Sequence, residues 1–261
     1  MKQRIITAVI AFVIILPFII IGGVPFMLFA GVLAAIGLYE LMRMRKLTNF
    51  FVPAILSLLG VITILSRFEQ DLIPYINWTK FEAIMLLTIL LLAYTVLSKN
   101  EFTFDDAGFM LISSIYVGIG FLYLTEARFA GINYLLFIFF VVWSTDSGAY
   151  FVGRSLGKHK LWPVISPNKT IEGAIGGILS GCIIALIFQL VHPFNVSIIA
   201  ILGIALLISI AGQIGDLVES AFKRHYNVKD SGNIMPGHGG ILDRLDSLLF
   251  VVPLLHLIHF I

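Results

Sequence analysis

Apolar runs of close to twenty residues recur along this chain, broken by short polar segments, and they restrict the fold more than any other feature. A helix needs about 20 apolar residues to cross the hydrocarbon core of a bilayer. Reading runs against breaks gives nine expected helices, near 4–23, 25–42, 51–67, 82–98, 107–125, 132–152, 171–191, 196–218 and 241–260. Composition agrees: 59% of the 261 residues are hydrophobic and 12% charged. A soluble domain carries roughly twice that charged fraction. The expected class is an all-α polytopic membrane protein, a single membrane domain over 1–261 with 1–130 mainly scaffold and 131–261 carrying the chemistry. The first run is too long for a signal peptide and ends in Gly22-Gly23-Val24-Pro25 without a small-x-small cleavage site, so it reads as a retained span.

Charge placement predicts orientation. With nine alternating spans, 14 of the 17 lysines and arginines fall on the N-terminal side, and only Arg67, Lys80 and Arg128 on the other. Basic residues favour cytoplasmic loops. The N-terminus is therefore expected in the cytoplasm and the C-terminus outside. The formal charge of +2 says little about partners, because the placement of charge matters more than its sum, and nucleic acid is not expected as one. The lone Cys182 excludes an internal disulfide framework.

The first five runs carry charge only near their ends by this reading. Arg43, Arg45 and Lys46 satisfy the orientation rule, and Asp105-Asp106 suit a helix N-terminus. The last four runs differ. Asp146 lies within the sixth, Glu172 opens the seventh, Asp216 and Glu219 close the eighth, and Asp243 and Asp246 open the ninth. Ionisable groups at membrane depth are costly and mark ion or substrate sites. Asp216 and Glu219 share a helix face, as do Asp243 and Asp246, each pair being three residues apart. Such carboxylates suit a hard cation such as magnesium. The structural alternative is a set of ion pairs with Lys223, Arg224 and Arg244, which explains one pair more easily than all six acids.

Two basic, glycine-containing loops join these helices: 153-GRSLGKHKLWPVISPNKTIEG-173 and 219-ESAFKRHYNVKDSGNIMPGHGG-240. Cationic side chains beside exposed amides at a helix start are what phosphate groups need. Gly153-x-x-x-Gly157-Lys158 is one residue short of a P-loop, has His159 where Ser or Thr belongs, and follows a membrane helix, so that reading fails. In the second loop the glycines of His238-Gly239-Gly240 would let backbone approach a ligand ahead of a helix N-terminus. Gly173, Gly177 and Gly181, at intervals of four, suit close helix packing, either within the chain or in a homodimer.

The same residues resemble a known family. Ser220, Phe222, Lys223-Arg224, Lys229-Asp230, Gly232, Pro236, His238-Gly239-Gly240, Asp243-Arg244 and Asp246 are similar to the signature of the phosphatidate cytidylyltransferases, with Met235 where Ile, Leu or Phe is usual. Trp143, Asp146, Ala149-Tyr150, Gly153, Gly157-Lys158, Ser166-Pro167, Lys169-Thr170, Glu172-Gly173, Gly215-Asp216 and Glu219 extend the resemblance over about residues 140–250. It implies transfer of the cytidylyl group of CTP to phosphatidate, giving CDP-diacylglycerol and pyrophosphate, with Mg2+, at the inner membrane's cytoplasmic face. The roles expected with it are Asp216 and Asp243, then Asp246 and Asp146, as metal ligands, and Asp216, Asp243, Asp246 and His238 as the catalytic set. Ser166, Lys169, Lys223, Arg224, Lys229, Gly239, Gly240 and Arg244 would bind substrate. A loop-shaping hydrogen bond is the other reading of His238. The rival functions are a CTP-dependent polyprenol kinase or a cytidylyltransferase for ether-linked lipids, either of which would use similar cations, and an ion-coupled transporter, against which the absence of repeats speaks.

Overall fold

A computed structural model describes residues 2–66 and 79–261 of the chain. Arg67, part of the orientation argument and the end of the third expected run, lies outside the described residues. Among the described residues there are nine helices: α1 (Lys2–Ile21), α2 (Gly23–Met44), α3 (Phe51–Leu65), α4 (Lys80–Leu97), α5 (Phe104–Ala130), α6 (Ile132–Leu156), α7 (Ile171–Val191), α8 (Ile198–His225) and α9 (Leu242–Leu257). Each answers to one expected run. Six of them, α2, α4, α5, α6, α7 and α8, are long and apolar enough to cross a membrane, as in a multi-pass membrane protein. Their outward faces are hydrocarbon: in α4 only Leu87 and Leu91 are buried, while Met85, Ile89, Leu90, Leu92, Val96 and Leu97 are exposed.

Local chemistry sets the helix ends. Thr170 caps α7 by accepting the Gly173 amide at 3.1 Å, and Ser197 caps α8 by accepting the Ala200 amide at 3.2 Å. Of the acidic pair before the fifth run, Asp106 does the capping: it accepts the Thr103 amide at 2.9 Å and pairs with Arg45 at 2.7 Å. Asp105 stays exposed.

Two departures from the expected pattern matter for the site. The all-α expectation needs one amendment, a short antiparallel hairpin, β1 (Lys160–Trp162) and β2 (Ser166–Thr170), inside the first basic loop. Its turn closes with the Ile165 amide donating to the Trp162 carbonyl at 3.2 Å. Helix α8 also runs seven residues past its expected end at 218, to His225. At 1.5 Å per residue its 28 residues span roughly 42 Å, against about 30 Å of hydrocarbon. The helix is therefore longer than the lipid core is thick, and its last turn carries the charged Lys223 and Arg224.

The chain divides into two compact units. One comprises Met1–Thr125 with Asp230–Leu242, the other Glu126–Lys229 with Asp243–Ile261. In the first, small residues admit large ones: a Cβ on Gly37 would meet the Leu242 side chain at 3.0 Å, and one on Gly118 would meet Ile64 at 3.0 Å. In the second, α6 and α7 pack backbone to backbone. A Cβ on Gly177 would lie 2.7 Å from the Thr145 carbonyl, and one on Gly173 2.8 Å from that of Ala149. Gly181 faces Thr145 of α6 and Ser209 of α8, whose hydroxyls share a buried hydrogen bond of 2.8 Å. The glycine stripe is thus spent inside the chain, and a homodimer would have to use another face.

Candidate functional site

In the second unit the ends of α6, α7, α8 and α9 gather most of the candidate residues. Asp216, on α8, has both carboxylate oxygens engaged: Oδ2 pairs with Lys169 Nζ at 2.7 Å and Oδ1 accepts the Ser220 hydroxyl at 3.3 Å. Lys169 stands at the end of β2 and also reaches the Gln213 carbonyl at 3.5 Å, so the hairpin aims it at α8. Two turns further along α8, Lys223 lies between two acids. Its ammonium is 2.6 Å from Asp243 Oδ1 and 3.1 Å from Glu219 Oε2. This trio is secluded, with side chains 14% (Lys223), 1% (Glu219) and 5% (Asp243) exposed.

The remaining acids converge on the same region. Asp146 of α6 is within electrostatic reach of Asp216 and Asp246, and of the cations Lys169 and Arg244. Asp246 lies beside Glu219, and its Oδ1 accepts the Ser247 amide at 2.7 Å. Gly215 lets α9 approach α8 here, since a Cβ would stand 2.8 Å from the Asp246 carbonyl. Asp146, Asp216, Glu219, Asp243 and Asp246 therefore face Lys169, Lys223 and Arg244, a formal excess of two negative charges. Glu219 Oε1 is buried and receives no hydrogen bond among the described residues. Hard oxygen donors, excess negative charge and an orphaned carboxylate oxygen fit a divalent cation. No three Asp, Glu, His or Cys side chains meet in ready-made metal geometry among the described residues.

Beyond the acids, Lys223, Arg224 and Lys229 line one cavity of about 310 Å³ with Asn227 and Val228. Arg224 is oriented by its Nε donating to the Ile165 carbonyl at 3.3 Å, which ties the hairpin to α8. Ser166, also expected at the site, opens β2 opposite Trp162 and is half-buried. Glu172 does not join the acidic group. Its carboxylate accepts the amides of Lys158 and His159 at 3.1 and 3.2 Å and meets His159 Nδ1 at 2.6 Å, so it pins the loop ahead of the hairpin.

The His238-Gly239-Gly240 segment belongs to the first unit. A tight turn forms it: the Met235 amide donates to the Gly239 carbonyl at 3.0 Å and the His238 amide to the Met235 carbonyl at 2.8 Å. Gly237 (φ 80°) and Gly239 (φ 86°) occupy left-handed backbone, which explains glycine at both. His238 Nδ1 is buried and has no partner among the described residues. The amides of Ile241 and Leu242 that follow do not point at open space. They donate to the carboxylate of Glu40, on α2.

Sequence reasoning passed over Glu40, Gln213 and Asn227. For Glu40 a signal existed: it is the one acid inside the run 25–42, and the rule that draws attention to Asp146 applies to it equally. Gln213 and Asn227 carry no such mark.

The family model described as the cytidylyltransferase family matches residues 2–261. Phosphatidate cytidylyltransferase of Staphylococcus saprophyticus subsp. saprophyticus is 50% identical over 258 residues, covering 99% of this chain and 98% of that protein. Those of Staphylococcus aureus and Staphylococcus haemolyticus are 49% and 50% identical over the same share of each chain. A match of this extent, together with the signature residues along α8, the loop after it and the start of α9, leaves one conclusion: the chain belongs to the cytidylyltransferase family.

Proposed function

We propose that this protein transfers the cytidylyl group of CTP to phosphatidate, releasing pyrophosphate and leaving CDP-diacylglycerol in the membrane. The observation that carries the reading is the juxtaposition, in one unit, of a carboxylate group and a cation-lined cavity at the end of α8 that overruns the hydrocarbon thickness. One substrate is a lipid headgroup and the other a soluble nucleotide, so chemistry at a helix boundary suits both. The names borne by the relatives support the same activity.

In the proposed reaction a phosphatidate phosphate oxygen attacks the α-phosphorus of CTP in line, and the bond to the β-phosphate oxygen breaks. The nucleophile is already anionic, so no general base is required. The difficulty is to bring two anions together and to accept charge on the leaving pyrophosphate, which preorganised cations relieve. Lys223, Arg224 and Lys229, around their cavity, hold phosphate groups, with Lys169 and Arg244 on the acidic side. Mg2+ would be held by Asp216, Asp146 and Asp243, with Asp246 and Glu219 alongside. When bound it would neutralise developing phosphate charge. Ser166 contributes from the start of β2.

The topology that goes with this reading has nine spans, the N-terminus and the active site in the cytoplasm, and the C-terminus outside. The experiment is incubation of purified protein with phosphatidate vesicles, Mg2+ and CTP labelled at the α- or the γ-phosphorus. Label from the α-position in CDP-diacylglycerol is the expected result. Lipid label from the γ-position alone would replace the proposal with a kinase.

A further inference from the structure

Glu40 takes no part in the chemistry above, yet in the first unit it organises the segment that leads into it. It lies in α2 and is 1% exposed. Its Oε1 accepts the Ile241 amide at 2.8 Å, and its Oε2 accepts the Leu242 amide and the Ser231 hydroxyl, both at 3.0 Å. Leu242 opens α9, so the negative charge that answers this helix N-terminus comes from a side chain 202 residues earlier. A buried carboxylate is tolerated when donors surround it, as the Ser231 hydroxyl and the Ile241 and Leu242 amides do here.

Two glycines make room for it. A Cβ on Gly232 or on Gly240 would run into the Glu40 carboxylate. Neither glycine has left-handed backbone, so conformation does not require glycine at either position. Space for Glu40 does. The loop between them is pinned once more, by the Thr7 hydroxyl donating to the Pro236 carbonyl at 3.1 Å.

We infer that Glu40 is a positioning residue: its carboxylate seats residues 231–240 and caps α9, fixing the turn that carries His238 and the helix start that carries Asp243 and Arg244. The inference rests on the functional reading above. It assigns a scaffold helix a share in that reading, exerted through backbone amides and not through contact with substrate. A glutamine cannot substitute, because its amide nitrogen would turn a donor towards donors.

The test combines kinetics with amide exchange on purified, detergent-solubilised full-length protein. Glu40→Gln is expected to lower kcat for CDP-diacylglycerol formation at least ten-fold in the folded fraction and to speed deuterium exchange across residues 231–242. Gly232→Ala, which pushes a methyl onto the carboxylate, is expected to lower kcat in the unsubstituted background and by no further factor when Glu40→Ala is already present. Unchanged kcat and KM in folded Glu40→Gln protein, or unchanged exchange over 231–242, overturns the inference. So does a Gly232→Ala effect of equal factor in both backgrounds. Should Glu40→Gln not fold, Gly232→Ala and Ser231→Ala disturb the same seat from the loop side and carry the same comparison. Failure of the unsubstituted protein to label CDP-diacylglycerol would refute the reaction, while exchange in the variants would still decide the seat.

Discussion

Replacing Lys223 by alanine leaves two secluded carboxylates, Glu219 and Asp243, without their shared ammonium. The side chains involved are 14%, 1% and 5% exposed, so solvent does little to screen the loss. Removing one partner of a buried ion pair costs about 3–5 kcal/mol. That is a large part of a typical net stability of about 5–15 kcal/mol. At roughly 2–4 °C per kcal/mol for a chain of this size, the midpoint should fall on the order of 10 °C. Lys169→Ala provides the contrast, because Lys169 and Asp216 are 25% and 35% exposed. A pair so accessible is worth at most about 1 kcal/mol. The single cysteine, Cys182, is half-buried in α7, so a thiol-reactive dye added during a thermal ramp in detergent reads both variants. Adding Asp243→Asn to Lys223→Ala should recover part of the loss by removing one stranded charge. Equal midpoints for the two lysine variants, or no recovery in the double variant, would refute the electrostatic account of this trio.

Further outcomes follow from the same geometry. Asp243→Asn should reduce CDP-diacylglycerol formation by a factor on the order of 10² while costing less stability than Lys223→Ala, since Lys223 keeps Glu219; near-normal turnover would remove Asp243 from the chemistry. Chelation with EDTA should abolish turnover and added Mg2+ should restore it; full activity in the chelator would end the metal proposal. Lys229→Ala, on the exposed side of the cavity, should raise KM for CTP several-fold with little change in midpoint, and an unchanged KM would assign Lys229 to solvent. Gly177→Ala should cost about 1–3 kcal/mol, because the new methyl meets the Thr145 carbonyl. Gly203→Ala, with nothing near its Cβ, should stabilise α8 by about 0.5–1 kcal/mol. Equal unfolding midpoints for the two glycine variants would contradict the packing.

Helix positions were legible because hydrophobic length is a one-dimensional property, and each expected run became one helix. Misjudged ends have a common cause. Helix α8 continues to His225 because residues 219–225, ESAFKRH, contain good helix formers and no breaker, although they are too polar to extend an apolar run. Hydropathy reports where a helix leaves lipid, not where it stops. The hairpin at 160–170 was missed for a related reason. Its residues alternate over too few positions to register as strands, and ties to α8, such as Arg224 to the Ile165 carbonyl, hold it in place.

At the site, the acids and bases were legible by type but not by pairing. Six carboxylates near one boundary look alike in sequence, yet Glu172 pins a loop while the other five gather on α6, α8 and α9. Only geometry could separate them, because Glu172 and Asp216 both stand near basic residues along the chain, Lys169 and Lys223. Gly240 shows the converse. Its presence beside a helix start suggests room for a phosphate, and an amide N-terminus does favour an anion. The anion that took the Ile241 and Leu242 amides is Glu40. A glycine in a signature thus marks a close approach without saying by what. Here the approaching group is a carboxylate of the chain itself, which makes the acid in the second helix part of the same structural unit as the signature loop.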